Sequence, residues 1–397
     1  MATNAVPPVL PIAPGNWLGM IGGGQLGRMF CQAAQSMGYK VAVLDPIERC
    51  PAGAVADLHI QTAYDDQAGL ARLSERCAAI STEFENVPAL SLQKLAAHSR
   101  VSPAAEAVAI VQDRILEKAF IGKMGVPLAP YAAIHGRDDI ERAPSTLFPG
   151  ILKAARFGYD GKGQARIASR EQALEAFDSF GGAACVLEAL MPLESEFSVV
   201  LARGFDGRAV TYPCARNEHH DGILAVSTVA TEFSAAEAAL HRQAGQAALN
   251  IAQGLGYYGV LCVEFFVLRD GALVANEIAP RPHNSGHYTM DACVTSQFEQ
   301  QVRVMAGLPL GSTDSLCPAL MLNILGDVWF DPATGEKREP DWSAVLRTPN
   351  AKLHLYGKQE ARRGRKMGHI NLVAPTLSAA RDAAAAVAGA LHMPFSL

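Results

Sequence analysis

Eight cysteines (31, 50, 77, 185, 214, 262, 293 and 317) never form a C-x-x-C pair, so zinc-ribbon and dithiol redox signatures are absent. Several of them, Cys262 among them, sit inside apolar runs, which is where buried free thiols of a cytoplasmic protein are expected. No apolar run reaches the roughly 18 residues a membrane span requires. Charged residues are scarce at 18%, and 34 Lys and Arg against 39 Asp and Glu leave a net charge of −5. A general nucleic-acid binder carries a basic surplus that this chain lacks. The opening segment MATNAVPPVLPIAPGN (1–16) has no Lys or Arg and four prolines. It lacks the charged start and apolar centre of a signal peptide and reads as a disordered tail. No Ser-His-Asp order or Cys-His nucleophile pair stands out.

What the chain does have is length and apolar content. With 397 residues and 49% hydrophobic residues, it can build two or three domains with proper cores. Trp17 to Ile21 reads as a strand, Gln25 to Met37 as an amphipathic helix with Gly38 at its end, and KVAVL (40–44) as a second strand. Leu58 to Gln61, Gln67 to Arg76 and Ala78 to Thr82 continue the alternation, which predicts a parallel α/β sheet over 17–112. Residues 113–312 read as α+β with antiparallel strands: a helix over Asp113 to Met124, strands at Phe148 to Ala154 and Cys185 to Leu190, a strand pair at Phe197 to Ala202 and Arg208 to Tyr212, and a long helix over Ala235 to Gly254. Residues 313–397 form a smaller third unit with strands near Ala319 to Ile324 and Leu353 to Tyr356, a basic turn and an Ala-rich helix.

The densest chemistry lies in VLCVEFFVLRDGALVANEIAPRPHNSGH (260–287). Two apolar runs flank Asp270-Gly271, the signal of a hairpin with a two-residue turn. Arg269 then pairs with Ala272, and Glu264 comes to lie opposite Glu277. Two carboxylates facing each other on an apolar hairpin repel, and a cation converts that repulsion into binding. Mg²⁺ suits the arrangement, being held by one or two carboxylates plus substrate phosphates. The bland alternative is two glutamates on a solvated edge. Arg281, His283, Asn284, Ser285 and His287 follow at the strand end, where binding residues concentrate.

Gly22 to Gly27 satisfies G-x-G-x-x-G between a strand and a helix, with Asp45 ending the next strand. This matches a dinucleotide fingerprint, and more generally a helix N-terminus offered to a phosphate. A second glycine-rich loop, Gly158-Tyr159-Asp160-Gly161-Lys162-Gly163-Gln164, follows Lys153. It is not a P-loop, but such a loop with a strand lysine behind it can clamp a polyphosphate. Glu188 ends an apolar strand. Lys358, Arg362, Arg363, Arg365 and Lys366 form a basic turn after His354, either a solvated charge run or a phosphomonoester site. Groups that bind phosphates and metal and orient substrates suit phosphoryl transfer.

The segments GGGQLGRM (22–29), STEFENVP (81–88), GYDGKGQ (158–164), ARGFDG (202–207), HHDGIL (219–224), NEIAPRPHNSGH (276–287) and GRKMGH (364–369) resemble the ATP-grasp superfamily. Within it they are most similar to the 5-(carboxyamino)imidazole ribonucleotide synthase family. The resemblance implies an ATP-grasp fold with an N-terminal Rossmann-like domain and a small C-terminal domain. It implies ATP contacts from Arg114, Lys153, the loop Gly158 to Gln164, Glu188 with Ala189, Leu190 and Met191, Glu196, His219 and Asn276. It makes Glu264 and Glu277 the Mg²⁺ ligands. Tyr159, Asp160, Arg281, His283, Asn284, Lys358 and Arg365 are implied to hold aminoimidazole ribonucleotide or bicarbonate. Which of Arg362 and Arg363 faces the ligand is left open, because the turn departs from the family pattern. Ala279 stands where some relatives place a third metal ligand.

The function these features imply is ATP- and bicarbonate-dependent carboxylation of the amine of aminoimidazole ribonucleotide, in a cytoplasmic homodimer. Another ATP-grasp ligase, such as a formate-dependent glycinamide ribonucleotide transformylase, shares the ATP site. An NAD-dependent oxidoreductase accounts for the first glycine motif but leaves Glu264 and Glu277 without a role.

Overall fold

The computed structural model describes residues 10–156, 158 and 163–393. Tyr159, Asp160, Gly161 and Lys162, four of the expected site residues, lie outside them. Strands 17–21, 40–44, 58–60, 79–82 and 100–101 form a parallel five-stranded sheet in the spatial order third, second, first, fourth, fifth. Apolar side chains fill both of its faces, as a sheet flanked by crossover helices requires. The helix Gln25–Ser36 ends as anticipated, with Gly38 just beyond it at φ +83°. The helices at 89–96 and 105–111 and the strand at 100–101 were not foreseen.

The segment before the first strand departs from the expected tail. From residue 10 onward it is tied down: Ile12 N–H donates to the Ala306 carbonyl at 2.8 Å, and Tyr39 Oη donates to the Ile12 carbonyl at 2.7 Å. Its prolines do not prevent this, since the segment needs only a few backbone partners to lie against the domain surface.

A four-stranded antiparallel sheet (131–134, 185–189, 150–154, 164–167) carries the helix Arg170–Ser179 on an apolar core of its own. The largest sheet is antiparallel and nine-stranded. Its path runs through 273–279, 259–268, 193–203, 215–220, 223–229, 319–325, 366–373 and 351–355, with 209–211 hydrogen-bonded to 193–203. Strands of the middle and C-terminal regions are therefore continuous, joined where Val226 to Val229 pair with Leu322 to Ala319. The strand Lys366–Val373, at the heart of the C-terminal region, was read only as the tail of a basic turn. Gly368 and two polar residues, His369 and Asn371, disguise its apolar alternation.

Two helices set the geometry of the site. Ser234 caps the helix Ala235–Gly254 in a reciprocal box with Glu237, and Ala244, Ala248, Ile251 and Ala252 bury its inner face against the large sheet. Phe298, Val302 and Met305 of the helix Gln297–Ala306 share a core with Phe30 and Met29 of Gln25–Ser36, locking the first domain beside the large sheet.

Candidate active site

The site grows from adjacent strands of the large sheet. Glu264 lies opposite Glu277 on one side and opposite Ser198 on the other, and Glu196 lies opposite Asn217. The hairpin that pairs the two glutamates is not the one expected. Leu268 pairs with Ala272 (N–O 2.9 Å) around a three-residue turn. Its last residue, Gly271, sits at φ +83°, where a Cβ is penalised. That turn slips the register by one residue. Asn276 then has no partner on the facing strand, a bulge that slips it back. The two irregularities cancel, so Glu264 still faces Glu277. The bulge also turns Asn276 and Glu277 toward the same space: Asn276 Oδ1 is 3.5 Å from Lys153 Nζ, and Glu277 Oε2 is 2.7 Å from an Arg114 guanidinium nitrogen.

The helix Arg114–Lys123 faces this hairpin. Asp113 caps it, accepting from Ile115 N–H at 3.0 Å. Arg114, Glu117 and Lys118, spaced three and four residues apart, fall on one helix face. Glu117 accepts the Ile278 N–H at 2.5 Å. Lys118 is 1% exposed and lies 3.1 Å from Glu188 Oε1; Lys153 Nζ is also 3.1 Å from that oxygen. One carboxylate, itself 4% exposed, thus balances two buried ammonium groups.

Burial, then the Glu277 charge, raises the Glu264 pKa above the usual carboxylate range. Burial would raise Glu277 too, but the Arg114 guanidinium overrides it and holds this carboxyl low. Although deep in the fold, Glu277 keeps 34% of its side chain open to the cleft. His219 is raised, because its 2.7 Å contact with Glu196 outweighs burial. Glu188 is lowered by Lys153 and Lys118 against the pull of burial. Burial, with Arg281 and Lys366 adding to it, lowers His283 to about 3.

These groups line one cleft of about 1140 Å³. Arg114, Lys153, Gly158, Gln164, Glu188 to Met191, Glu196, His219, Glu264, Asn276 and Glu277 border it, and so do Arg281, His283 and Asn284. Arg281 Nε donates to Glu85 Oε2 at 2.6 Å. Asn284 is 8% exposed, and among the described residues neither its amide nitrogen nor its amide oxygen has a hydrogen-bond partner. An amide left with both a donor and an acceptor at a cleft wall is built for a small polar ligand.

Three expectations are corrected. In the first glycine loop the anion met by the helix N-terminus is a protein carboxylate: Gly27 N–H donates to Glu83 Oε2 at 2.6 Å, and Gly24 N–H donates to the other oxygen of the same carboxylate. Asp45, the ribose ligand of the dinucleotide reading, is buried on Gly23 N–H (2.7 Å) and Tyr64 Oη (2.7 Å). Both anion-binding ends are thus filled from within, which removes the case for NAD. The basic turn is also placed differently. Lys358 Nζ donates to the Lys366 carbonyl at 2.6 Å and borders a separate cavity of about 270 Å³, and an Arg365 guanidinium nitrogen donates to the Glu360 carbonyl at 2.9 Å. Arg362 pairs with Glu360, and Arg363 lies over the Phe330 ring. Lys366 is the member of the turn that borders the large cleft.

Glu85 and Lys118 had been given no role at the site, and Lys366 only a place in the basic turn. The helical spacing of Arg114, Glu117 and Lys118 was the available signal for the second.

The carboxylate pair fits Mg²⁺. The charge that burial and the facing Glu277 disfavour on Glu264 is what a divalent ion stabilises, and Asn276 and Glu277 open to the same space. Among the described residues no group of three or more His, Cys, Asp or Glu side chains is arranged around a metal. No helix among the described residues is long and apolar enough to cross a membrane.

Residues 119–298 match the ATP-grasp domain, 16–112 the ribonucleotide synthetase preATP-grasp domain, and 319–383 the phosphoribosylaminoimidazole carboxylase C-terminal domain. The chain is 45% identical to N5-carboxyaminoimidazole ribonucleotide synthase of Brucella melitensis, over 92% of this chain and 98% of that one. The Staphylococcus aureus N5-carboxyaminoimidazole synthetase solved with ADP superposes with a TM-score of 0.86 at 35% identity, covering 96% of this chain and 99% of the other. The Aspergillus clavatus N5-carboxyaminoimidazole synthase, solved with ADP and 5-aminoimidazole ribonucleotide, gives 0.85 at 28% identity, over 95% and 98% of the two chains. The chain belongs to the N5-carboxyaminoimidazole ribonucleotide synthase family of ATP-grasp ligases.

Proposed function

We propose that this enzyme carboxylates the exocyclic amine of 5-aminoimidazole ribonucleotide with ATP and bicarbonate, releasing ADP and phosphate, in de novo purine biosynthesis. The carrying observation is that one cleft joins the nucleotide groups (Arg114, Lys153, Glu188, Glu264, Glu277) to a second polar set (Arg281, His283, Asn284, Lys366).

Arg114 and Lys153 bind and orient the polyphosphate of ATP. Glu264 and Glu277 would hold Mg²⁺, which would supply neutralisation of phosphate charge. A bicarbonate oxygen attacks the γ-phosphorus, the bond to the β-phosphate oxygen breaks, and ADP leaves. Asn284 orients bicarbonate through its donor and its acceptor. Arg281, held by Glu85, stabilises the negative charge of carboxyphosphate. The amine nitrogen then bonds to the carboxyl carbon, the carbon–oxygen bond to phosphate breaks, and the amine passes a proton to the departing phosphate to leave the carbamate. Enclosure by the cleft walls protects carboxyphosphate from water.

ADP release measured with ATP, Mg²⁺ and bicarbonate tests the whole reading. Strong stimulation by aminoimidazole ribonucleotide, lost without bicarbonate, is the expected result. Turnover that accepts formate in place of bicarbonate would move the enzyme to the transformylase class.

For the ribose 5′-phosphate, Lys366 is the partner, with Lys358 and Arg365 in the adjoining turn. Lys366→Ala is expected to raise the ribonucleotide KM by roughly 10- to 100-fold, the worth of one charge-assisted hydrogen bond. The KM for ATP should stay put. Equal changes in both constants would remove Lys366 from the phosphate site. The eight free thiols support a cytoplasmic location. A homodimer is the assembly we expect, checked by sedimentation against the 42.1 kDa chain mass.

A further inference from the structure

Behind His283 runs a line of buried polar side chains that the reaction scheme does not use. Ser227 Oγ donates to Asn217 Oδ1 at 2.8 Å, and Asn217 Nδ2 donates to Ser198 Oγ at 3.0 Å. Ser198 Oγ donates to Ser285 Oγ at 2.6 Å, and Ser285 Oγ lies 2.8 Å from His283 Nδ1. All four side chains ahead of the histidine are buried. Ser227 and Asn217 are cross-strand partners, so the line crosses the large sheet and emerges at the turn carrying His283. Such a network in a protein interior is costly unless every member is satisfied, and its bonds reinforce one another when they point one way.

The direction is decided at the histidine. A hydroxyl chain can in principle run either way, with Nδ1 as its donor or as its acceptor. One contact chooses and a second agrees. The backbone N–H of Ser285 reaches His283 Nδ1 at 3.4 Å, and an N–H can only donate. On the far side of the ring, Nε2 lies 3.2 Å from Glu264 Oε1, where a bare lone pair would face a carboxylate oxygen. The Ser285 N–H requires a bare Nδ1, so a neutral ring carries its proton on Nε2, and the second contact is compatible with that. In that arrangement every hydroxyl in the line donates toward the ring.

We propose that the Ser227–Asn217–Ser198–Ser285 line is a positioning network that locks His283 as the neutral Nε2–H tautomer, making it a fixed hydrogen-bond donor at the cleft wall and not a base. The inference rests on the proposed function for its kinetic meaning: a donor there steadies Glu264 and an anion bound beside it, and leaves the bicarbonate proton alone. Ser285 and Ser198 act through the histidine, which sets them apart from ordinary core residues.

Two measurements test this. Nitrogen-15 spectra of histidine-labelled wild-type enzyme should show one neutral ring, absent from His283→Gln, with its proton on Nε2. A ring protonated on Nδ1 overturns the proposal. Kinetically, Ser285→Ala should lower kcat/KM for bicarbonate by about 10- to 100-fold, the usual cost of losing a partner that orients a site residue. It should leave the KM for ATP unchanged. In a His283→Gln background the same substitution should cost nothing further, because its only route of action is gone. An equal loss in both backgrounds means Ser285 acts by packing alone and overturns the network. The spectrum needs no variant of the serines and no bicarbonate. It therefore still reports if Ser285→Ala does not fold, and it separates failure of this inference from failure of the reaction assignment.

Discussion

Glu277→Gln is expected to lower turnover by about a thousandfold, measured as bicarbonate-dependent ADP release. Glutamine keeps the size of the side chain and can still accept from Arg114, so the hairpin should stay folded. What disappears is one of the two charges that confront each other across it. Removing a charged group that stabilises a phosphoryl-transfer transition state costs on the order of 3–4 kcal/mol, which is two to three powers of ten in rate. With its repulsive partner gone, Glu264 ionises more readily, but a lone carboxylate holds Mg²⁺ poorly. Raising the Mg²⁺ concentration should therefore recover part of the loss. A variant that turns over like the parent would end the assignment of this pair to the metal.

The second large effect is on stability. Glu188→Gln leaves Lys118 and Lys153, both buried, facing a neutral amide. Breaking a buried ion pair by deleting one partner costs about 3–5 kcal/mol, because a charge is stranded without water. The asymmetry of the cluster sharpens the expectation. Lys118→Met removes one of two cations and leaves a one-to-one pair, and its apolar side chain fills the space of the lysine stem. It should be the milder change by a clear margin in thermal unfolding. If Lys118→Met destabilises as much as Glu188→Gln, the cluster is not acting as a charge balance. Glu188 borders the cleft and buried Lys118 lies against Glu188, so unfolding is compared without nucleotide.

The parallel first sheet was readable because a strand buried on both faces announces itself as an apolar run, and its helices carry clear ends such as Gly38. The capping of the glycine loop was not readable. G-x-G-x-x-G says that a helix N-terminus will meet an anion, but not whether the anion is a ligand or Glu83 from a strand end sixty residues on. The Glu264–Glu277 pairing was anticipated by way of a turn that does not form. Local signals favoured the two-residue loop, and no local signal marks the bulge at Asn276 that restores the register. Lys118 was passed over because a lysine in a helix is normally solvated, and only tertiary packing on Glu188 makes it a buried charge. The strand Lys366–Val373 was lost for the opposite reason: its polar residues are buried and partnered, so its pattern looks like a surface turn. Most of the described residues that the family resemblance assigned to ATP do line one cleft, while the placing of the basic turn came only with three-dimensional packing.

The unbroken large sheet has a mechanical consequence. Hydrogen bonds tie the carboxylate hairpin, the strand bearing His219 and the strand of Lys366 into one body, so the C-terminal region cannot swing on a hinge of its own without tearing the pairing of Val226 to Val229. The four-stranded sheet with Lys153 and Glu188 is outside that body. Opening that admits and expels nucleotide is therefore expected in this smaller plate, with Lys153 and Glu188 as the travelling half of the site and the glutamate pair as its anvil.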